Sequence, residues 1–173
     1  MEIKDLKLEP KSNNIISCDA KISRKDLRER MLGLEIAFSQ LPDAKFGDDC
    51  GPLKHTFADG LYIREYTGIK GMFAISKLHK TNHPYFVMTG DVTVLTEDGP
   101  VRIKAPYHGI TKAGTKRVLY FHEETIWITV HATEETDLKK IEEVVIAKSY
   151  NELPEDVKKS LGIESEERIC LGV

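Results

Sequence analysis

The chain has 173 residues, of which 40% are hydrophobic and 31% are charged, and this composition is typical of one soluble globular domain. Its 25 basic and 28 acidic residues give a formal net charge of -3, which argues against a broad surface for nucleic acid or anionic membranes. The sequence has neither an apolar run near the roughly 18 residues that cross a bilayer nor a charged start before an apolar segment, so we expect a cytoplasmic protein.

Residues 1–52 are predicted to form an N-terminal segment and one amphipathic helix. Ser23 and Asp26 form an S-x-x-D capping pattern, and Pro42 ends the helical pattern. The apolar stripe between them consists of Leu27, Met31, Leu34, Phe38 and Leu41. A stripe of this kind has to pack against other apolar surface.

In residues 53–131 the hydrophobic pattern has the period of β-strands. Six short segments are rich in β-branched and aromatic residues and are separated by Gly, Pro, Asn or Asp. They are LYIREYT, GMFAISKLH, YFVMTGDVTVLT, VRIKAP, KRVLYF and IWITVH. A run of strands without intervening helices predicts an antiparallel sandwich or barrel.

Residues 132–173 are predicted to be a C-terminal helical extension. In its first helix three apolar residues share one face, namely Leu138, Ile141 and Val145. A second short helix has Pro154 near its first turn and Gly162 at its C-terminal cap. The charged end of the chain is expected to be loosely held.

The three cysteines predict no disulfide framework and no structural zinc site. Cys18, Cys50 and Cys170 are an odd number at wide spacing, and no C-x-x-C pair is present. We expect reduced thiols.

A regular spacing joins a lysine and two histidines between two glycines. The stretch reads Gly71, five residues, Lys77, one residue, His79, three residues, His83, six residues, Gly90. This resembles the first motif of metal-binding cupins, which runs Gly, five, His, one, His, three or four, Glu, six, Gly. The resemblance places Lys77 at the first histidine position and His83 at the glutamate position.

The second cupin motif is matched in register by fewer residues. Gly114 keeps the family identity, and Arg117 occupies the position of the last metal-binding histidine. The resemblance implies a mainly β fold, a cupin-like antiparallel jelly-roll barrel with the N- and C-terminal helices packed outside. The stretches HKTNHPYFVMTGDVTV, GTKRVLYFHEETIW and VHATEETDLKKIE are also similar to small cupin-like proteins of tailed phages, which implies a phage-encoded protein in the host cytoplasm.

The four positions that hold metal in the family are poorly suited to it here. Lys77 and Arg117 carry cationic groups that do not bind divalent metals. His79 and His83 alone fall short of the three protein ligands that catalytic metal sites use. We therefore expect no metal and no other cofactor, with the alternative that His131 or His122 provides a third ligand.

The same four residues instead predict a site for a small anion. Two fixed cations and two histidines repel one another, and a phosphate, a carboxylate or a nucleotide relieves that repulsion. Further candidate ligand-binding residues are Tyr85, His108 and His131. In the alternative interpretation, Lys77 and Arg117 face solvent and His79 only caps a turn.

Binding of a small anionic ligand is thus the leading function, and catalysis is the weaker expectation. One alternative is a sugar-nucleotide isomerase or epimerase with His79 or His83 as general base. The other is a virion or assembly component that uses the barrel as scaffold. Because open strand edges favour pairing, we also expect a homodimer.

Overall fold

The computed structural model describes residues 22–163, apart from the side chains of residues 47 and 48. Cys18, Cys170 and the charged C-terminal end lie outside the described residues. The helices are α1 (Arg24–Ser39), α2 (Leu138–Val145) and α3 (Glu155–Leu161), with short 3₁₀ turns at Gly47–Cys50 and Tyr150–Glu152. Among the described helices, none has the length and apolar character that crossing a membrane requires.

Eleven strands are present in the described part of the chain. In chain order they are β1 (Leu53–Ala58), β2 (Leu61–Gly68), β3 (Phe73–Ile75), β4 (Leu78–His79), β5 (His83–Val87), β6 (Asp91–Thr96), β7 (Gly99–Lys104), β8 (Tyr107–Thr111), β9 (Val118–Phe121), β10 (Thr125–Ala132) and β11 (Ile146–Ala147). They form a five-stranded sheet in the order β1-β2-β10-β5-β8, a four-stranded sheet in the order β3-β9-β6-β7, and the pair β11-β4.

The two larger sheets pack against each other through one apolar core. Tyr85, Val87 and Trp127 of the five-stranded sheet share this core with Leu119 and Phe121 of the four-stranded sheet. All strand pairings are antiparallel in the described residues. The predicted mainly β architecture of antiparallel sheets with a few helices is confirmed.

Each of the six predicted strand segments contains at least one strand, and YFVMTGDVTVLT is divided into β5 and β6. The segment GMFAISKLH is divided into β3 and β4, because the backbone N–H of Arg117 donates to the side-chain hydroxyl of Ser76 and the β3–β9 ladder ends there. Strands β1, β8 and β11 were not among the predicted segments, and the stretch that contains β11 was predicted to be helical. His108 and Gly109 give the segment of β8 little strand character.

Helix α1 begins as predicted but buries a different face. The Ser23 hydroxyl accepts a hydrogen bond from the backbone N–H of Asp26, which confirms the cap. The predicted apolar stripe is partly wrong, because Leu34 and Leu41 remain 37% and 56% exposed. The buried face consists of Arg28, Met31, Leu32 and Glu35.

Two charged residues lie on the buried face of α1 because both have partners in the strand region. Arg28 Nη2 lies 2.8 Å from Glu97 Oε2, and Glu35 pairs with Lys116. A pattern of apolar residues cannot identify buried charged residues of this kind, which explains the error in the predicted stripe.

The C-terminal helices pack outside the sheets as predicted. Ile141 and Val145 of α2 form an apolar cluster with Tyr62 of β2, whereas Leu138 stays 37% exposed. Gly162 ends α3 in the left-handed conformation with φ of 66°, which glycine adopts without strain.

The division into residues 1–52, 53–131 and 132–173 remains a prediction, as does the homodimer. Leu32 of α1 clusters with Leu78 and Tyr150, so the N- and C-terminal parts meet over β4. The outermost strands of the larger sheet are β1 and β8.

Candidate functional site

A cavity of about 570 Å³ is lined by residues of both larger sheets, by the end of α1 and by α2. Its lining includes four cationic side chains, Lys45, Arg64, Lys77 and Arg117. The acidic side chains in the lining are Asp43 and Glu142. The cavity therefore carries an excess of positive charge.

Strand register arranges the inward side chains of the five-stranded sheet in three rows. The histidine row contains Tyr62 and His131, the arginine row contains Arg64, Thr129 and Tyr85, and the aromatic row contains Tyr66, Trp127 and Val87. Neighbouring rows are two residues apart along each strand, or about 6.6 Å. The cavity reaches side chains of all three rows.

Three histidines meet at one end of the cavity. His79 ends β4, His83 begins β5 and His131 lies on β10. The ring centroid of His83 lies 4.3 Å from that of His79 and 4.4 Å from that of His131. The candidate ligand nitrogens of the three residues all lie within 4.8 Å of one another. His79 Nδ1, His83 Nε2 and His131 Nδ1 are buried without a hydrogen-bond partner.

Burial keeps the three imidazoles neutral. It lowers the pKa of His83 and of His131 to about 4, with the nearby positive charges of Arg117 and Arg64 adding to the effect. The pKa of His79 is held well below its usual range, first by burial and then by His83 and His131. Neutral imidazoles have a free nitrogen lone pair, which is the form that binds a metal.

The donor set therefore fits a divalent transition metal ion. Three imidazole nitrogens are a sufficient protein ligand set for zinc, and imidazole also suits copper, iron and nickel. The expectation of no metal was based on two histidines, and His131 adds the third that the sequence left as an alternative.

Arg117 lies beside this cluster and is only 8% exposed. Its Cζ stands 5.1 Å from the ring centroid of Tyr85 and 5.9 Å from that of Trp127, and its Nη2 donates to Thr111 Oγ1 at 3.0 Å. Burial lowers the pKa of the guanidinium. In the described residues no carboxylate lies within ion-pair distance of Arg117.

Gly109 allows Tyr85 to hold this position. A Cβ atom at residue 109 would lie 2.8 Å from the Tyr85 ring, closer than side chains normally approach. The absence of a side chain in β8 thus lets the ring lie flat over the strand, stacked on Trp127 at 4.6 Å.

The other predicted cation, Lys77, has a different environment. It lines the cavity at its edge, and its ammonium is paired with the Glu142 carboxylate of α2. The interpretation in which both Lys77 and Arg117 face solvent is wrong for Arg117, which is buried.

Two further histidines lie away from the cluster. His108 is exposed, with its ring 6.1 Å from that of Phe86, and it does not line the cavity. His122 Nε2 lies 2.7 Å from Thr93 Oγ1, so this residue is not the third member of the cluster.

The residues of the cavity wall that the sequence analysis did not select include Arg64, His55 and Tyr62. Arg64 lies in the arginine row, and His55 Nδ1 is 2.7 Å from the hydroxyl oxygen of Tyr62. Alternation in the predicted strand LYIREYT already places Tyr62, Arg64 and Tyr66 on one face, and this was the available signal.

The fold and cavity define a mainly β protein of two packed antiparallel sheets with room for a small molecule. No protein-family model matches the sequence, and no curated protein matches it significantly. Similar solved structures include ectoine synthase from P. lautus, with 10% identity and a TM-score of 0.45 over 53% of this chain and 70% of that one. A cupin-2 domain protein from Shewanella frigidimarina gives 10% identity and a TM-score of 0.41 over 62% and 99%.

The cupin domain of Schizosaccharomyces pombe Cnp3 gives 14% identity and a TM-score of 0.41 over 53% of this chain and 70% of that one. Similarities at this level concern the chain trace and say nothing of activity or ligand. The phage setting stays a prediction.

Proposed function

We propose that this protein binds a small anionic ligand, a carboxylate or a phosphate, at Arg117 inside the cavity, next to a divalent metal ion on His79, His83 and His131. The observation that carries the proposal is the buried guanidinium of Arg117, which lines the cavity without a carboxylate partner among the described residues. Leaving a charge buried and unpaired is costly, and an anion in the cavity removes that cost.

The surroundings of Arg117 also favour a bound anion. Arg64 is the other guanidinium of the lining, and its charge also lowers the pKa of the nearby histidines. A planar guanidinium offers two parallel N–H groups to the oxygens of a carboxylate or phosphate. Lys77 contributes less than the sequence suggested, because Glu142 already balances its charge.

A metal ion on the three histidines departs from the expectation of a cofactor-free site. When bound, such an ion supplies Lewis-acid chemistry to a ligand oxygen. The chain's own contribution is to hold three neutral imidazoles together and to orient the anion through Arg117, whose guanidinium packs against the rings of Tyr85 and Trp127.

An enzyme that transforms the bound anion is the second candidate. The observation in its favour is the contact of 2.7 Å between His55 Nδ1 and the Tyr62 hydroxyl, since both residues line the cavity and can exchange a proton. His79 and His83 are weaker candidates for general base, because the same nitrogens are the metal donors. Turnover that is lost in Tyr62→Phe, with ligand affinity kept, favours this candidate.

The binding proposal is tested by thermal unfolding with inorganic phosphate and with short carboxylates at constant ionic strength. At a hundred times the dissociation constant, a ligand adds about 2.7 kcal/mol, which raises the melting temperature of such a domain by about 5–10 °C. Arg117→Gln should lose most of this shift, whereas Arg30→Gln, a charge change on the exposed side of α1, should keep it. No shift in the wild type, or an equal shift in Arg117→Gln, contradicts the proposal.

A further inference from the structure

We propose that the ligand is an amphiphilic anion, whose charged head lies at Arg117 and whose apolar or aromatic body extends along the cavity to its mouth. The inference rests on the anion site proposed above and adds the class of molecule. A cavity of about 570 Å³ exceeds what a phosphate ion alone fills and lies within the range of about 300–1,000 Å³ typical of sites for drug-sized ligands.

An apolar wall begins directly next to the guanidinium. Leu119 of β9 lies two residues beyond Arg117, which directly precedes the strand, and it is paired with Ala74 of β3. Met72 continues this wall, since its carbonyl accepts a hydrogen bond from the N–H of Phe121. These side chains line the cavity and offer no hydrogen-bonding group, apart from the weakly accepting thioether of Met72.

The facing wall is aromatic. Tyr66 and Trp127 form the third row of the larger sheet, on the side of the arginine row away from the histidines. Along the larger sheet, the histidine and arginine rows therefore lie at one end and the aromatic row at the other. A ligand that matches both ends has one charged head and one apolar body.

Large apolar side chains also line the exposed part of the cavity, next to the charged Asp43 and Lys45. Leu41 after α1 and Phe73 of β3 line it and remain 56% and 54% exposed, and Leu138 of α2 is 37% exposed. Large exposed apolar side chains around an opening are typical of a binding groove. A sugar-like body would leave its hydroxyl groups unpaired against these walls, so this class of ligand is disfavoured.

The experiment is a chain-length series of straight-chain carboxylates from acetate to decanoate, titrated below their micelle concentrations by calorimetry. Each methylene that enters the cavity should increase the affinity about four-fold, until the cavity is filled. Met72→Ser and Leu119→Ser should each flatten this dependence. The matched control is Met88→Ser, because Met88 is 52% exposed and does not line the cavity.

The outcomes separate the two proposals. If phosphate and acetate bind but affinity does not rise with chain length, the amphiphilic ligand is excluded and the anion site stands. If neither phosphate nor any carboxylate binds, the proposed function itself fails. Affinities in Arg117→Gln equal to those of the wild type contradict the placement of the head at Arg117, and an equally steep chain-length dependence in folded Met72→Ser and Leu119→Ser contradicts the placement of the body.

Discussion

Lys116 Nζ lies 2.7 Å from Glu35 Oε1, and these two side chains are 0% and 1% exposed. The next residue, Arg117, is also buried but lines the cavity without an acidic partner in the described part of the chain. Two adjacent cations thus have different roles. One joins α1 to the strands through an internal ion pair, and the other presents its charge to a ligand.

Neutralising one partner of the Glu35–Lys116 ion pair should strongly destabilise the fold. Glu35→Gln leaves the ammonium of Lys116 buried without a counter-charge, so the free energy of unfolding should fall by about 3–5 kcal/mol in urea denaturation. Replacing both residues by methionine removes the unpaired charge and should restore most of the loss. A Glu35→Gln protein as stable as the wild type contradicts this account of α1.

Because Gly109 leaves room for the Tyr85 ring, a side chain at this position should weaken anion binding. In Gly109→Ala the new methyl group displaces the Tyr85 ring, which removes the aromatic support under Arg117, so phosphate affinity should decrease several-fold. Gly33→Ala is the control, because no atom lies within 4 Å of its Cβ position on the exposed side of α1. That variant should gain about 0.5–1 kcal/mol of stability through helix propensity and keep the affinity.

Asp91 predicts a dependence of stability on pH. Two hydrogen bonds from Arg102, both of 2.8 Å, hold the pKa of this carboxyl below its usual range. Its stabilising contribution is therefore present above the unfolded-state pKa of about 3.9 and is lost as the pH falls through the lower folded-state pKa. Chemical denaturation should show the stability of wild type and Asp91→Asn converging as the pH falls from 5 to 3. A constant difference over this range would count against the Arg102 contact.

The sequence predicted the part of the site that depends on local spacing. His79, His83 and Arg117 were selected by motif register, and the fold brings all three to one cavity. His131 remained an alternative because the facing of a strand residue depends on pairing register, and a shift of one residue turns every side chain to the other face.

Other features depended on contacts distant in sequence. Arg28 and Glu35 are buried because Glu97 and Lys116 lie opposite them, and no local pattern in α1 indicates such partners. The neutralisation of Lys77 likewise depends on Glu142, 65 residues away. The strand order, which places Arg64 beside Thr129, also cannot be predicted from hydrophobic periodicity.

The three-histidine cluster predicts one divalent metal ion per chain. Protein treated with a chelator, then loaded with zinc and desalted, should retain close to one equivalent by elemental analysis, because neutral buried imidazoles gain a partner for each free nitrogen. His131→Ala should lose this retention, and His108→Ala, which changes an exposed histidine outside the cluster, should keep it. Equal retention in His131→Ala would place the metal elsewhere.

The visible absorption of the cobalt-loaded protein during titration with a carboxylate tests the central claim most directly, since it reports on the histidines and on the anion together. We predict that one equivalent of Co²⁺ gives visible bands in the wild type, and that these bands change saturably with the carboxylate in the wild type but not in Arg117→Gln. Bands that are absent, that persist unchanged in His131→Ala, or that respond equally to the carboxylate in Arg117→Gln would contradict an anion site beside a three-histidine metal centre.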